Sequence, residues 1–96
     1  MIVSFGSKVT DEIYHGLPSK RTQKFAKEIV KIAERKLDLI NASTSVVDLK
    51  VPPGNRLKAL KGDRKGFYSI RINDQFRIIF QFQNGNAYKV EVVDYH

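Results

Sequence analysis

The apolar pattern of this chain changes period once, and that change restricts it to a layered fold of helix against sheet. From Ser19 onward, Phe25, Ile29, Ile32, Ala33, Leu37 and Ile40 recur at three- and four-residue spacing, the stripe of an amphipathic helix. Beyond Arg56 the apolar residues alternate instead. Tyr68, Ile70 and Ile72 form one set, Phe76, Ile78, Phe80 and Phe82 a second, and Tyr88, Val90 and Val92 a third. Asn73 and Asp74 separate the first two sets, and Asn84 followed by Gly85, a strong hairpin signal, separates the last two. The run Pro52, Pro53, Gly54, Asn55 marks the turn between the two textures. An antiparallel meander with one apolar face needs cover, and the helix stripe supplies it. The expected class is α+β: a small antiparallel sheet with N-terminal helices packed on one face. The other face is left to Ser69, Arg71, Arg77, Gln81, Lys89 and Glu91.

Shorter elements complete the reading. Ile2 to Phe5 reads as a first strand. Thr10 followed by Asp11 and Glu12 reads as the N-cap of a short helix closed by Gly16 and Pro18. Asn41 to Ser45 end the long helix, Leu57 to Leu60 form a brief strand, and Gly62 to Gly66 form its turn. With 96 residues, the chain is expected to be one domain spanning 1–96.

Composition narrows the chemistry. With no cysteine, disulfides, thiolate catalysis and cysteine-ligated zinc drop out, and a reducing cytoplasm is the expected location. No apolar run reaches the roughly 18 residues of a membrane span. Two histidines far apart give no metal-ligand spacing, and Gly62 and Gly66 match no nucleotide-binding loop, so neither metal nor cofactor is expected. The net charge is +7, from 17 Lys and Arg against 10 Asp and Glu. Much of it lies between residues 56 and 77, where Arg56, Lys58, Lys61, Arg64, Lys65, Arg71 and Arg77 face only Asp63 and Asp74. The lysines and arginines of residues 19–40 fit a solvated helix face as well as they fit a binding surface. The 56–77 cluster sits among strand aromatics and points to a polyanion such as RNA.

Metal-free RNA cleavage needs a base for the 2′-hydroxyl, an acid for the leaving 5′-oxygen, and cations around the phosphorane. His15 reads as a structural residue of the short helix. His96 follows Asp94 and Tyr95 at the end of a strand pattern, and histidine titrates near neutrality, at about 6.5 unperturbed. Tyr95 can donate a proton or stack on a base, and Lys58, Lys61, Arg71 and Arg77 can hold phosphate.

The segment PPGNRLKALKGDRKGFYSIRINDQFRIIFQF and the following NGNAYKVEVVDYH resemble the HigB toxins of the RelE superfamily, with LKGDR, YSIRIN, FRI and the terminal DYH as the most specific pieces. The resemblance extends over nearly the whole chain. It implies a RelE-like toxin fold and the toxin half of a type II toxin–antitoxin system, cutting mRNA on the ribosome without metal and leaving a 2′,3′-cyclic phosphate. By motif, it implies catalytic roles for Lys61, Arg77, Asp94, Tyr95 and His96. His96 leads proton transfer, Asp94 orients it or acts as base, Tyr95 positions RNA, and Lys61 and Arg77 stabilise the transition state. Arg56, Lys58, Arg64, Lys65 and Arg71 then bind RNA. Lys58 stands where some relatives carry histidine; lysine there binds phosphate as a point charge, and the choice of base stays open. The implied partners are a HigA-type helix-turn-helix antitoxin, the ribosome with its mRNA, and operator DNA bound through the antitoxin complex, with no membrane. Two other readings stand beside this one: a non-catalytic toxin on the same scaffold, like the ParE proteins that poison gyrase, and a basic RNA- or ribosome-binding module.

Overall fold

The computed structural model describes residues 1–95; His96, the leading proton-transfer candidate, lies outside the described residues. Helix α1 spans Lys8–Tyr14 and α2 spans Lys27–Ala42. The sheet strands are β1 (Lys58–Ala59), β2 (Phe67–Arg71), β3 (Phe76–Gln83) and β4 (Asn86–Asp94), antiparallel in the order β1-β2-β3-β4. Among the described residues, no helix is long and apolar enough to cross a membrane.

The expected layering is present. Ala33, Leu37 and Ile40 of α2 are fully buried against Ile70, Ile78, Phe80 and Val90 of the sheet, and Ile13 of α1 joins the same core. The stripe begins later than its spacing suggests. Residues 19–25 form a turn and a 3-10 segment at Thr22–Lys24, so Phe25 precedes α2 and packs edge-on against Phe76, with ring centroids 5.2 Å apart. Ser43 closes α2, its hydroxyl donating to the Leu39 carbonyl at 2.7 Å.

The start of the chain departs from the sequence reading in two places. Ile2 to Phe5 is not a regular strand; it makes two isolated parallel bridges to β4, Ile2 with Ala87 and Phe5 with Val90. Thr10 is not the N-cap of α1. Ser7 takes that position, its hydroxyl accepting from Thr10 N, while Thr10 itself is fully buried. Its Oγ1 accepts from the Val92 amide at 2.9 Å, fastening α1 to the outer edge of β4.

The third departure reaches the open face. Tyr88 does not share a face with Val90 and Val92. Gln81 pairs with Tyr88 and Ile79 with Glu91, so two residues of β4, Lys89 and Val90, stand opposite Phe80 alone. This is a β-bulge, with Lys89 in the left-handed region at φ 53°. The extra residue keeps Val90 and Ala87 in the core and turns Tyr88 to the side of Gln81. The Lys89 amide, displaced from the ladder, donates to Ser4 Oγ at 2.9 Å. The Asn84–Gly85 hairpin behaves as expected, both residues having positive φ.

Replacing Thr10 with valine keeps the volume but removes the acceptor of the buried Val92 amide. Thr10→Val is expected to lower unfolding free energy by about 1–3 kcal/mol. Urea denaturation checks this as a lower midpoint at unchanged slope.

Candidate active site on the open sheet face

Register fixes which side chains share the face away from the helices. Arg71 lies opposite Arg77, Ser69 opposite Ile79, and Lys58 opposite Ser69. Two guanidinium groups side by side repel, so what holds them decides the geometry of the face.

Arg77 is the better anchored. Its Nε donates to Ser69 Oγ at 2.9 Å, and its Nη2 donates to the Arg56 carbonyl at 2.7 Å and the Ser69 carbonyl at 3.4 Å. The Tyr95 ring lies 5.6 Å from the guanidinium carbon, within cation–π range. Burial is the largest influence holding Arg77 below the ordinary arginine value; Tyr95 opposes it, and Arg71 and Arg56 add to it. An arginine stays charged under such a shift. Arg71 instead pairs with the exposed Asp74 at 2.5 Å, and that bond is the main cause holding the Asp74 carboxyl below its usual range.

The Arg56 carbonyl is available because its own residue is left-handed, at φ 47°, just after the 3-10 turn Pro53–Asn55. That turn is fixed from inside. Asn55 is fully buried, and its Nδ2 donates to the carbonyls of Leu49 and Val51, while its Oδ1 accepts from Lys36 Nζ of α2. Burial first, then Arg35 and Arg71, hold the Lys36 ammonium below the ordinary lysine value. A connected set of polar groups therefore runs from α2 through the turn to the guanidinium of Arg77.

Beside this arginine lies a cleft of about 400 Å³ lined by Lys58, Ala59, Leu60, Lys61, Arg64 and Tyr95. β1 supplies Lys58 to its lining, and Lys61 leads into the 3-10 turn Gly62–Arg64 that presents Arg64. The Tyr95 amide donates to the Gln75 carbonyl at 2.6 Å, which ties the end of β4 to the β2–β3 hairpin. The fold thus gathers Lys58, Lys61, Arg64 and Tyr95 into one cleft, with Arg77 beneath the tyrosine ring and Arg71 and Arg56 next to Arg77. Lys65 is exposed on the turn that follows and does not line the cleft. Asp94 pairs with Phe76 at the end of β4 and accepts from Gln75 Nε2 at 3.1 Å. His15, read from sequence as structural, caps the end of α1 and pairs with Asp11 at 2.7 Å.

A cationic cleft with an aromatic ring in its lining is suited to a phosphodiester with an adjoining base. Over residues 4–96 the sequence matches the model of a family described as the RelE-like toxin of the type II toxin–antitoxin system HigB. The chain belongs to the HigB-like toxin family. Toxin HigB-1 of Vibrio cholerae serotype O1 is 38% identical over 87 residues, covering 91% of this chain and 90% of that protein. The Endoribonuclease HigB of Proteus vulgaris is 39% identical over 66 residues, covering 62% of this chain and 72% of its own. The fold is that of RelE-like toxins. The YoeB–YefM complex from Staphylococcus aureus superimposes with a TM-score of 0.64 at 22% identity, covering 100% of this chain and 98% of the other. A YafQ point mutant from E. coli gives 0.62 at 17% identity, covering 98% and 93%.

For this HigB-like toxin, sequence reasoning finds most of the cations but misses what holds them. Alternation places Ser69 on the open face and turn chemistry places Asn55 in a loop; their partners lie too far along the chain for spacing to reveal. Ser69→Ala removes a hydrogen bond to a charged group at a fully buried position. Its expected cost is about 1.5–3 kcal/mol of unfolding free energy, read from denaturant unfolding.

Proposed function

We propose that this HigB-like toxin is a ribosome-dependent endoribonuclease that cuts mRNA and so stops translation. The observation that carries the reading is the cleft of Lys58, Lys61, Arg64 and Tyr95 with the anchored Arg77 beside it. That the Proteus vulgaris relative is named an endoribonuclease supports it.

In this reaction the 2′-oxygen attacks the adjacent phosphorus as its proton passes to a base, and the bond to the 5′-oxygen breaks as an acid supplies it a proton. The products are a 2′,3′-cyclic phosphate and a free 5′-hydroxyl. Negative charge grows on the non-bridging oxygens in the transition state, where preorganised cations act most strongly. Arg77 suits that role because its anchors hold it in place before the substrate arrives, and Lys61 lines the cleft next to it. Lys58 and Arg64 hold flanking phosphates, together with Arg56, Arg71 and Lys65 around them. Tyr95 stacks on or positions the nucleotide. His96 leads proton transfer, and Asp94 either orients it or takes the 2′ proton.

The protein pairs with an antitoxin of the helix-turn-helix HigA type, and that complex binds operator DNA. The YoeB–YefM toxin–antitoxin complexes among the structural relatives are consistent with an antitoxin partner. The absence of cysteine suits residence in the cytoplasm beside its ribosomal target.

Purified toxin added to translating ribosomes is expected to cut mRNA and leave a 2′,3′-cyclic phosphate end, detected by end-specific ligation. Lys61→Ala and Arg77→Ala are each expected to slow cutting by about 10²–10³-fold. His96→Ala is expected to remove most activity from a folded protein. If wild-type toxin leaves ribosome-bound mRNA intact, the enzyme reading falls and a non-catalytic module takes its place. In single-turnover pH profiles, Asp94→Asn separates the two roles of Asp94: loss of the acidic limb marks a base, and a uniform drop marks an orienting group.

A further inference from the structure

On the open face near the β3–β4 hairpin lies a trough of about 340 Å³ lined by Ser4, Gly66, Gln81, Phe82, Gln83, Tyr88 and Lys89. Its floor is the directly opposed pair Gln81 and Tyr88. Gln81 follows Arg77 by four residues on β3, about 13 Å along the strand. RNA held at Arg77 and running along β3 therefore reaches the trough with a nucleotide other than the one being cut.

The lining differs in kind from the cleft. Lys58, Lys61, Arg64 and Arg77 offer charge to phosphate. The trough offers an aromatic ring, two primary amides and a hydroxyl, with a single cation, Lys89. Each amide carries a donor pair and an acceptor, the complement of a base edge, and tyrosine gives a face for stacking.

The β-bulge is what makes this surface. Strict alternation back from Val92 and Val90 would bury Tyr88 beneath the helices. The bulge turns Tyr88 outward, at the expense of a non-glycine residue with positive φ and a ladder amide that Ser4 must satisfy. The core position that alternation would have given to a tyrosine is taken by the small Ala87.

We infer that this trough is a nucleobase-binding subsite, in which Tyr88 stacks on one unpaired base of the bound RNA and Gln81 reads its edge. The inference rests on the reading of this face as an RNA surface, and it assigns a role to residues outside the cutting machinery.

Binding to a labelled single-stranded RNA heptamer, 2′-O-methylated to block cleavage, tests it by fluorescence anisotropy, together with a series carrying one abasic nucleotide at each position. Wild-type toxin should show one position where loss of the base weakens binding about tenfold. Tyr88→Ala should show the same loss with the intact heptamer and no further loss at that position. Tyr88→Phe should bind like wild type, and Gln81→Ala should change which base is preferred there. Equal binding of every oligomer by wild type and Tyr88→Ala overturns the subsite, as does a Tyr88→Ala loss spread evenly over all positions. Wild-type toxin that binds no heptamer at all also overturns it. The enzyme reading is judged separately: base-selective binding without cutting sinks the nuclease and keeps the subsite, and cutting with a flat abasic series does the reverse.

Discussion

The guanidinium of Arg77 is held before any anion arrives. Three arginines crowd one end of a small sheet, and without fixed acceptors their mutual repulsion would spread them into solvent. Ser69, buried between strands, and the left-handed Arg56, which turns its carbonyl inward, supply those acceptors. Both nitrogens in these bonds belong to a planar fork, so orientation is set as well as position; a lysine would offer only a movable point charge. The Asn55 turn and Lys36 extend the support back to α2, which makes the charged surface depend on the packing of the opposite layer.

The layers were legible in the sequence because burial imposes a period, and α2 and β2 to β4 carry it clearly. Elements whose position depends on partners elsewhere were not. Thr10 looks like a cap because threonine before two acids has that local chemistry, yet Ser7 takes the cap and Thr10 serves β4, 82 residues away. Tyr88 continues an alternating run, and nothing local shows that the register slips by one residue; the slip is visible only against the partner strand and Ser4. Among the site residues, Lys58, Lys61, Arg64, Arg71, Arg77 and Tyr95 follow from the motifs, and the fold draws them together. Ser69 and Asn55 carry no such mark, because a buried serine and a turn asparagine are ordinary until their partners are known.

The open face is divided by chemistry. The cleft concentrates formal charge, which acts at a distance and is weakened by salt. Apart from Lys89, the trough offers neutral donors and acceptors that act only on contact. In the proposed reading, a polyanion meeting this face is first attracted by the cleft and then sorted by the trough, so capture and discrimination are carried by different parts of one small surface.

The first residues of the chain have an effect out of proportion to their length. They never form a regular strand, yet Met1, Val3, Ser4 and Gly6 engage backbone groups of Ala87, Lys89 and Val90, and Thr10 takes the Val92 amide beyond them. The outer margin of β4 is thereby closed over this length by a lining of mixed origin. The opposite margin is β1, a two-residue stub bearing Lys58. A sheet bounded in this way offers little template for another copy to add a strand. An aromatic-rich meander can therefore resist edge-to-edge self-pairing while keeping one broad surface uncovered.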